Sequence, residues 1–187
     1  MLYLSKGMIM KQSTRQEPRV THCGVDYPLT GVGAELWLNG RFEIWESVDA
    51  RDVMHLQELQ RLGLVELTED AGPLAAYRLL TQCVICPAKL KPIRKPLTAM
   101  ESLAWQWISQ AGLRLTIGEL TKLFADDVAP TPDLLGKDYA QDLTMRIYQG
   151  DLNFDTTPDL LMEASPMRDA VTNAALGLLR KKRIILI

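Results

Sequence analysis

Histidine and cysteine are scarce in this chain, and the shortage excludes a good deal. Of 187 residues, 2 are histidine and 3 are cysteine. His22 and His55 are the only imidazoles, and no Gly-x-Ser-x-Gly, His-x-x-Glu-His or phosphate-cradling glycine loop accompanies them. Most ordinary enzyme classes are therefore disfavoured, and no catalytic residue is expected. His55 falls on the polar side of a helix expected over 49–62. Gly31-Val32-Gly33 precedes an expected strand rather than a helix, which reads as turn chemistry. Three thiols cannot all pair with one another, which points to a reducing, cytoplasmic setting. No apolar run approaches the roughly 20 residues that a membrane span needs. The first ten residues are apolar but lack a long h-region and a small-residue cleavage site. A signal peptide is not expected, and Met8 and Met10 are alternative starts. Neither sign of charge dominates, with 21 Lys and Arg against 23 Asp and Glu. The net charge is −2, and the second half is the more acidic. That balance favours a basic or neutral partner over nucleic acid.

The few candidate metal ligands are poorly spaced. Cys83-x-x-Cys86 with His22 and Cys23 would give a Cys₃His set. A structural zinc site usually needs two close pairs, and adjacent residues on a strand point to opposite faces. Cys83 and Cys86 read instead as small apolar residues, and no metal site is expected in this chain. The acidic tract Asp126, Asp127, Asp133, Asp138, Asp142, Asp151, Asp155 and Asp159 lacks calcium-loop spacing. It reads as a solvated surface with aspartates at helix caps, or as a face that attracts a basic peptide.

What is present is a set of local folding signals. Thr98-Ala99-Met100-Glu101 is a capping box opening a helix, with Met100, Leu103, Ala104, Trp107, Ile108 and Ala111 at helical spacing and Gly112 as its stop. Thr116-Ile117-Gly118-Glu119 opens a second, shorter helix. This helix-turn-helix pattern carries Lys122 as its one cation, beside Glu119, Asp126 and Asp127. A DNA reader needs several cations there to meet phosphates.

The rest divides at a basic, proline-bearing segment over 89–96. Before it, residues 1–18 read as loosely ordered and 19–26 as a first strand. Segments 35–38 and 41–46 read as a hairpin about Asn39-Gly40, which favours a type I′ turn. Alternation puts Leu36 and Leu38 on one face and Glu35 and Trp37 on the other. On the return strand Phe42 and Ile44 oppose Arg41, Glu43 and Trp45. Asp49 caps a helix with Val53, Leu56 and Leu59 buried and Gly63 ending it. Segments 64–67 and 77–80 read as two more strands. After the linker come the helix-turn-helix, a proline-rich loop over 126–136, and helices over 139–148, 158–164 and 166–182. A terminal strand over 183–187 must add to a sheet. The predicted fold is α+β: a winged-helix-like unit over 19–88 with a small antiparallel sheet, then a mainly helical unit over 97–187 with a terminal strand. No internal repeat is evident.

The stretch from Leu29 to Trp37, Leu-Thr-Gly-Val-Gly-Ala-Glu-Leu-Trp, resembles peptide-recognition domains of the PqqD type, winged-helix-like modules that bind leaders of ribosomally made, modified peptides. The stretch from Leu80 to Phe124, with the segment from Pro130 to Gly136 and Ile147-Tyr148, resembles the small partner subunits of methanobactin biosynthesis, the MbnC family. That resemblance implies a non-catalytic subunit without a cofactor of its own. It implies two partners: a TIM-barrel iron enzyme of the MbnB kind, and the leader of a precursor peptide. The iron enzyme converts precursor cysteines, with O₂, to oxazolone and thioamide groups. The leader would add as a strand to an exposed sheet edge. The edge expected is the hairpin, with Glu35, Trp37, Arg41, Glu43, Trp45 and Glu46 as the peptide-binding set, and the 77–80 strand is the next choice. A winged-helix transcription regulator and a zinc-bearing interaction protein are the competing readings.

Overall fold

The computed structural model describes residues 1–11, 13, 14, 16–110, 115–130 and 165–187. The expected stop at Gly112, the helices over 139–148 and 158–164, and most of the loop over 126–136 lie outside them. The fold is α+β, with small antiparallel sheets and a mainly helical second half that ends in a strand.

The first sheet is built on the segment expected to be loose. Strand β1 (Leu2–Ser5) lies between β5 (Trp45–Glu46) and β6 (Val65–Thr68), antiparallel to both. Tyr3 and Leu4 are wholly buried on opposite faces, in two different cores. A strand buried on both faces shows no polar alternation, which is why the apolar start carries no strand period. Tyr3 packs with Val65 over the helices α1 (Gly31–Asn39) and α2 (Ala50–Arg61). Leu2 and Leu4 face the second core, which holds α3 (Ala75–Thr81) and the C-terminal helices.

Strands β2 (Met8–Ile9), β3 (Arg19–His22) and β4 (Val25–Pro28) form a second sheet in that order. The strand expected over 19–26 is thus broken by a two-residue turn at Cys23-Gly24, both at positive φ (49° and 81°). This is the I′ geometry that the sequence had suggested for Asn39-Gly40.

The expected hairpin about Asn39-Gly40 does not form. Residues 31–39 are the helix α1, because the buried side chains Ala34 and Trp37 recur at i, i+3 and the run Ala-Glu-Leu is strongly helix-forming. Gly40 caps it at φ −76°, so no left-handed turn is needed there. Its role is steric: a Cβ at residue 40 would lie 2.5 Å from Tyr3 Cε2 and 2.7 Å from Ser5 Oγ. Helix α2 forms, with the Asp49 side chain accepting from the Arg51 N–H at 2.8 Å and Leu56 and Leu59 buried, while Val53, expected in the same buried stripe, is half-buried near the helix start. The strand expected over 77–80 is instead part of α3. Four apolar residues cannot separate the two periods, and the preceding Leu74-Ala75-Ala76 favours helix.

The third sheet places β7 (Val84–Pro87) between β8 (Leu115–Thr116) and β9 (Ile184–Leu186), the expected terminal strand. Helices α4 (Ala99–Gln110) and α5 (Ile117–Ala125) both pack against α6 (Pro166–Arg180). Both capping boxes form: Thr98 N–H donates to Glu101 at 2.7 Å and Thr116 N–H to Glu119 at 2.7 Å, with each threonine Oγ1 accepting in return at 3.2 Å. The segment over 89–96 is irregular, as read. The packing nevertheless crosses it. β7 pairs with β9, Leu4 shares a core with α3 through α6, and the Gly7 N–H donates to the Leu186 carbonyl at 2.8 Å.

The first and third sheets have the same layout. In each, the leading strand is central, a two-residue strand between helices pairs on one side, and the strand after the last helix closes the other. The sequence shows no repeat because the loops, helix lengths and inserted second sheet differ.

Two consequences are measurable. Gly40→Ala should destabilise the protein by about 1–3 kcal/mol through overpacking against Tyr3, read as a lower urea midpoint with an unchanged slope. Glu101 is buried. Burial raises its carboxyl, but hydrogen bonds from Lys181 and Thr98 and the Lys181 charge outweigh this and hold it below the usual glutamate value. Its stabilising contribution is therefore full above about pH 4.3 and is lost as the pH falls further. Glu101→Ala should cost about 3 kcal/mol at pH 7, because it leaves Lys181 unpaired, and should show a shallower loss of stability between pH 4.5 and 2.5 than the parent. Urea titrations across that range check both.

Candidate functional site

The candidate site lies where the first sheet meets α3. The backbone of residues 5–7 is tied to four places in succession. Ser5 N–H donates to Gly40 at 2.9 Å, Lys6 N–H to Leu64 at 2.8 Å and Gly7 N–H to Leu186, while the Lys6 carbonyl accepts from Trp37 Nε1 at 2.9 Å. The Lys6 side chain is buried as well. Its Nζ meets Glu66 Oε1 at 2.6 Å and approaches the Gln82 carbonyl at 3.5 Å. A buried pair of this kind is held by geometry, since desolvation offsets much of its Coulomb gain.

An open cleft of about 330 Å³ runs along β6 beside α3, lined by Glu66, Leu67, Thr68, Arg78, Leu79, Thr81 and Gln82. Hydrogen bonding in an antiparallel pair alternates. Lys6 bonds Leu64, so Leu4–Glu66 and Leu2–Thr68 are the bonded pairs, and Leu67, opposite Tyr3, points its N–H and C=O away from β1. β6 has no second strand neighbour among the described residues. Arg78 Nη1 bonds the Asp70 carboxylate, whose Oδ1 accepts from Gly72 N–H at 2.8 Å.

The residues expected to bind peptide do not share a face. Glu35 is exposed on α1, but Trp37, two residues on, is turned some 200° around the helix and is wholly buried. No cross-strand Trp37–Trp45 pair exists. Arg41 stacks over Phe42 and Trp37, with its guanidinium carbon 4.6 and 5.4 Å from the ring centroids, and burial lowers its pKa. Glu43 is exposed in the connection that follows. Trp45, 40% exposed, and Glu46 form β5, paired with Tyr3 and Leu2. Residues 77–80, the second choice of edge, do line the cleft through Arg78 and Leu79, but as part of α3 and not as a strand. Read as a helix, it places Arg78 and Gln82 one turn apart on one side.

The cysteine and histidine candidates are scattered. Cys83 is buried, donates to the Leu79 carbonyl at 3.3 Å, and has its thiol pushed up to about 12, mainly by burial. Cys86 is buried on β7. Cys23 Sγ lies 3.4 Å from His22 Nε2. The two side chains converge rather than oppose, because Cys23 leaves the strand at positive φ. Burial and then Lys6 lower the His22 pKa, against a smaller pull from Glu66. Among the described residues, no three His, Cys, Asp or Glu side chains are placed to share a metal ion.

The second helix of the helix-turn-helix buries Ile117, Leu120, Thr121 and Leu123, and Lys122 pairs with Asp126 at 2.8 Å. No helix among the described residues is long and apolar enough to cross a membrane.

The thiols provide a direct check on this burial. A thiol-reactive disulfide reagent at pH 8 should label Cys23 within minutes and leave Cys83 and Cys86 unlabelled until urea is added. Rapid labelling of two or three thiols in the folded protein would contradict it.

No known protein family, curated protein or solved structure matches the chain.

Proposed function

We propose that this chain is a non-catalytic partner subunit that binds the leader of a ribosomally made precursor peptide in the β6–α3 cleft. It presents the precursor to an iron-dependent oxygenase of the methanobactin-forming kind. The observation that carries the peptide-binding part is the open cleft beside an edge of β6 with no strand neighbour among the described residues; the iron-oxygenase partner is what the resemblance of the Leu80–Phe124 stretch implies. An extended peptide can add there as a fourth strand, drawing affinity from main-chain bonds and selectivity from the side chains that line the cleft. Other edges are less suited. The matching edge on β9 is buried and already bonded to Gly7, β5 has two residues, and β4 ends in Pro28, which has no N–H to donate.

The remaining features agree with a subunit that works through contacts. Trp45 is 40% exposed and Val48 90% exposed, which suits burial against a larger protein. The iron belongs to that partner, and a reducing cytoplasm suits three free thiols. The regulator reading has less behind it. α5 turns its apolar face into the core, and its one cation is engaged by Asp126.

Display of random dodecapeptides against the full chain tests the binding mode. Wild type should enrich peptides of micromolar affinity. Leu67→Pro removes the outward N–H while sparing the β1–β6 ladder, and Thr81→Trp fills the cleft. Each should weaken binding by at least about tenfold, the loss expected when a main-chain bond and its packing go. Circular dichroism would confirm that both variants remain folded. Unchanged affinity in both folded variants would reject this edge.

A further inference from the structure

The geometry points to Arg78 as a specificity residue that selects a peptide bearing aspartate or glutamate beside the residue bonded to Leu67; this rests on the peptide-binding reading of the cleft. Alternation on β6 turns Glu66 and Thr68 toward α3 and Leu67 toward the other face. In an added strand, the residue bonded to Leu67 shares the Leu67 face. Its two neighbours point over Glu66 and Thr68, at the wall formed by Arg78, Leu79, Thr81 and Gln82.

Two charged side chains line that wall and floor, and accessibility separates them. Glu66 is 18% exposed and its carboxylate is held by the buried Lys6 ammonium. A peptide lysine would have to displace a partner already fixed by the fold. Arg78 is 48% exposed, and its ion pair uses one guanidinium nitrogen on Asp70, which is itself 38% exposed. The remaining donors of the planar fork suit a second carboxylate. The cleft therefore offers cationic rather than anionic contact, although the chain as a whole is mildly acidic. Asp70 acts as a built-in competitor that holds Arg78 in place while the cleft is empty.

The same dodecapeptide display reads this out. Wild type should enrich Asp or Glu at one fixed position. Arg78→Glu should weaken the best acidic peptide by about fivefold or more, restored when that position is changed to lysine, as expected for an exposed charge pair. Asp70→Asn, which frees the guanidinium, should tighten the acidic peptide severalfold. Raised salt should reduce the difference between acidic and lysine peptides for wild type. Enrichment of acidic residues that is unchanged in folded Arg78→Glu, or wild-type enrichment without any acidic position, would overturn the assignment while leaving the cleft as a peptide site. Failure of Leu67→Pro and Thr81→Trp to weaken binding, or no enrichment at all by wild type, would instead remove the peptide reading itself and this inference with it.

Discussion

Three consecutive residues, Ser5, Lys6 and Gly7, tie the first sheet to its helices and, through Gly7, to the last strand. Their backbone groups bond in turn to the residue after α1, the residue before β6, the Trp37 indole and the last strand. Buried backbone groups must find partners, so these bonds fix the path of the chain at a place where it passes between the cores. Lys6 adds a charge pair to Glu66 at the same point. The pair does little for net stability in a low-dielectric setting, yet it pins β6 against the carbonyl end of α3 at Gln82.

The repeated layout of the first and third sheets explains why one edge is open and the other closed. Both sheets lead with a central strand that carries a short strand on one side and a closing strand on the other. In the third sheet the outward edge of β9 is buried and bonded by Gly7. In the first sheet the equivalent edge on β6 faces α3 across a gap. An unpaired edge is a liability that folds usually cover. Here α3 lies beside it and leaves an open cleft.

Much of the helical half was legible from local chemistry. Thr98 with Glu101, Thr116 with Glu119, and Asp49 before α2 each satisfy orphan helix donors using residues three positions or fewer away, so the signal is complete within the segment. The terminal strand was legible too, since the apolar run Ile184-Ile185-Leu186-Ile187 after a helix ending in basic residues has to join a sheet. The errors fall on segments whose structure depends on distant partners. Residues 35–38 alternate like a strand, but the helix is decided by Trp37 reaching Lys6 and by Tyr3 donating to the Leu36 carbonyl at 3.1 Å. Asn39-Gly40 has the composition of a hairpin turn, but its glycine is there to let Tyr3 approach.

The sequence by itself determined the starts of α2, α4, α5 and α6, the terminal strand, the α+β class, and the scarcity of cations on α5. Each of these rests on interactions within a few residues or on composition alone. Tertiary structure decided the rest. β1 became central because it could be buried on both faces, and Glu66 and Arg78 came to face one cleft. Neither of these is encoded at short range: each needs a partner tens of residues away, and only the closed chain supplies it.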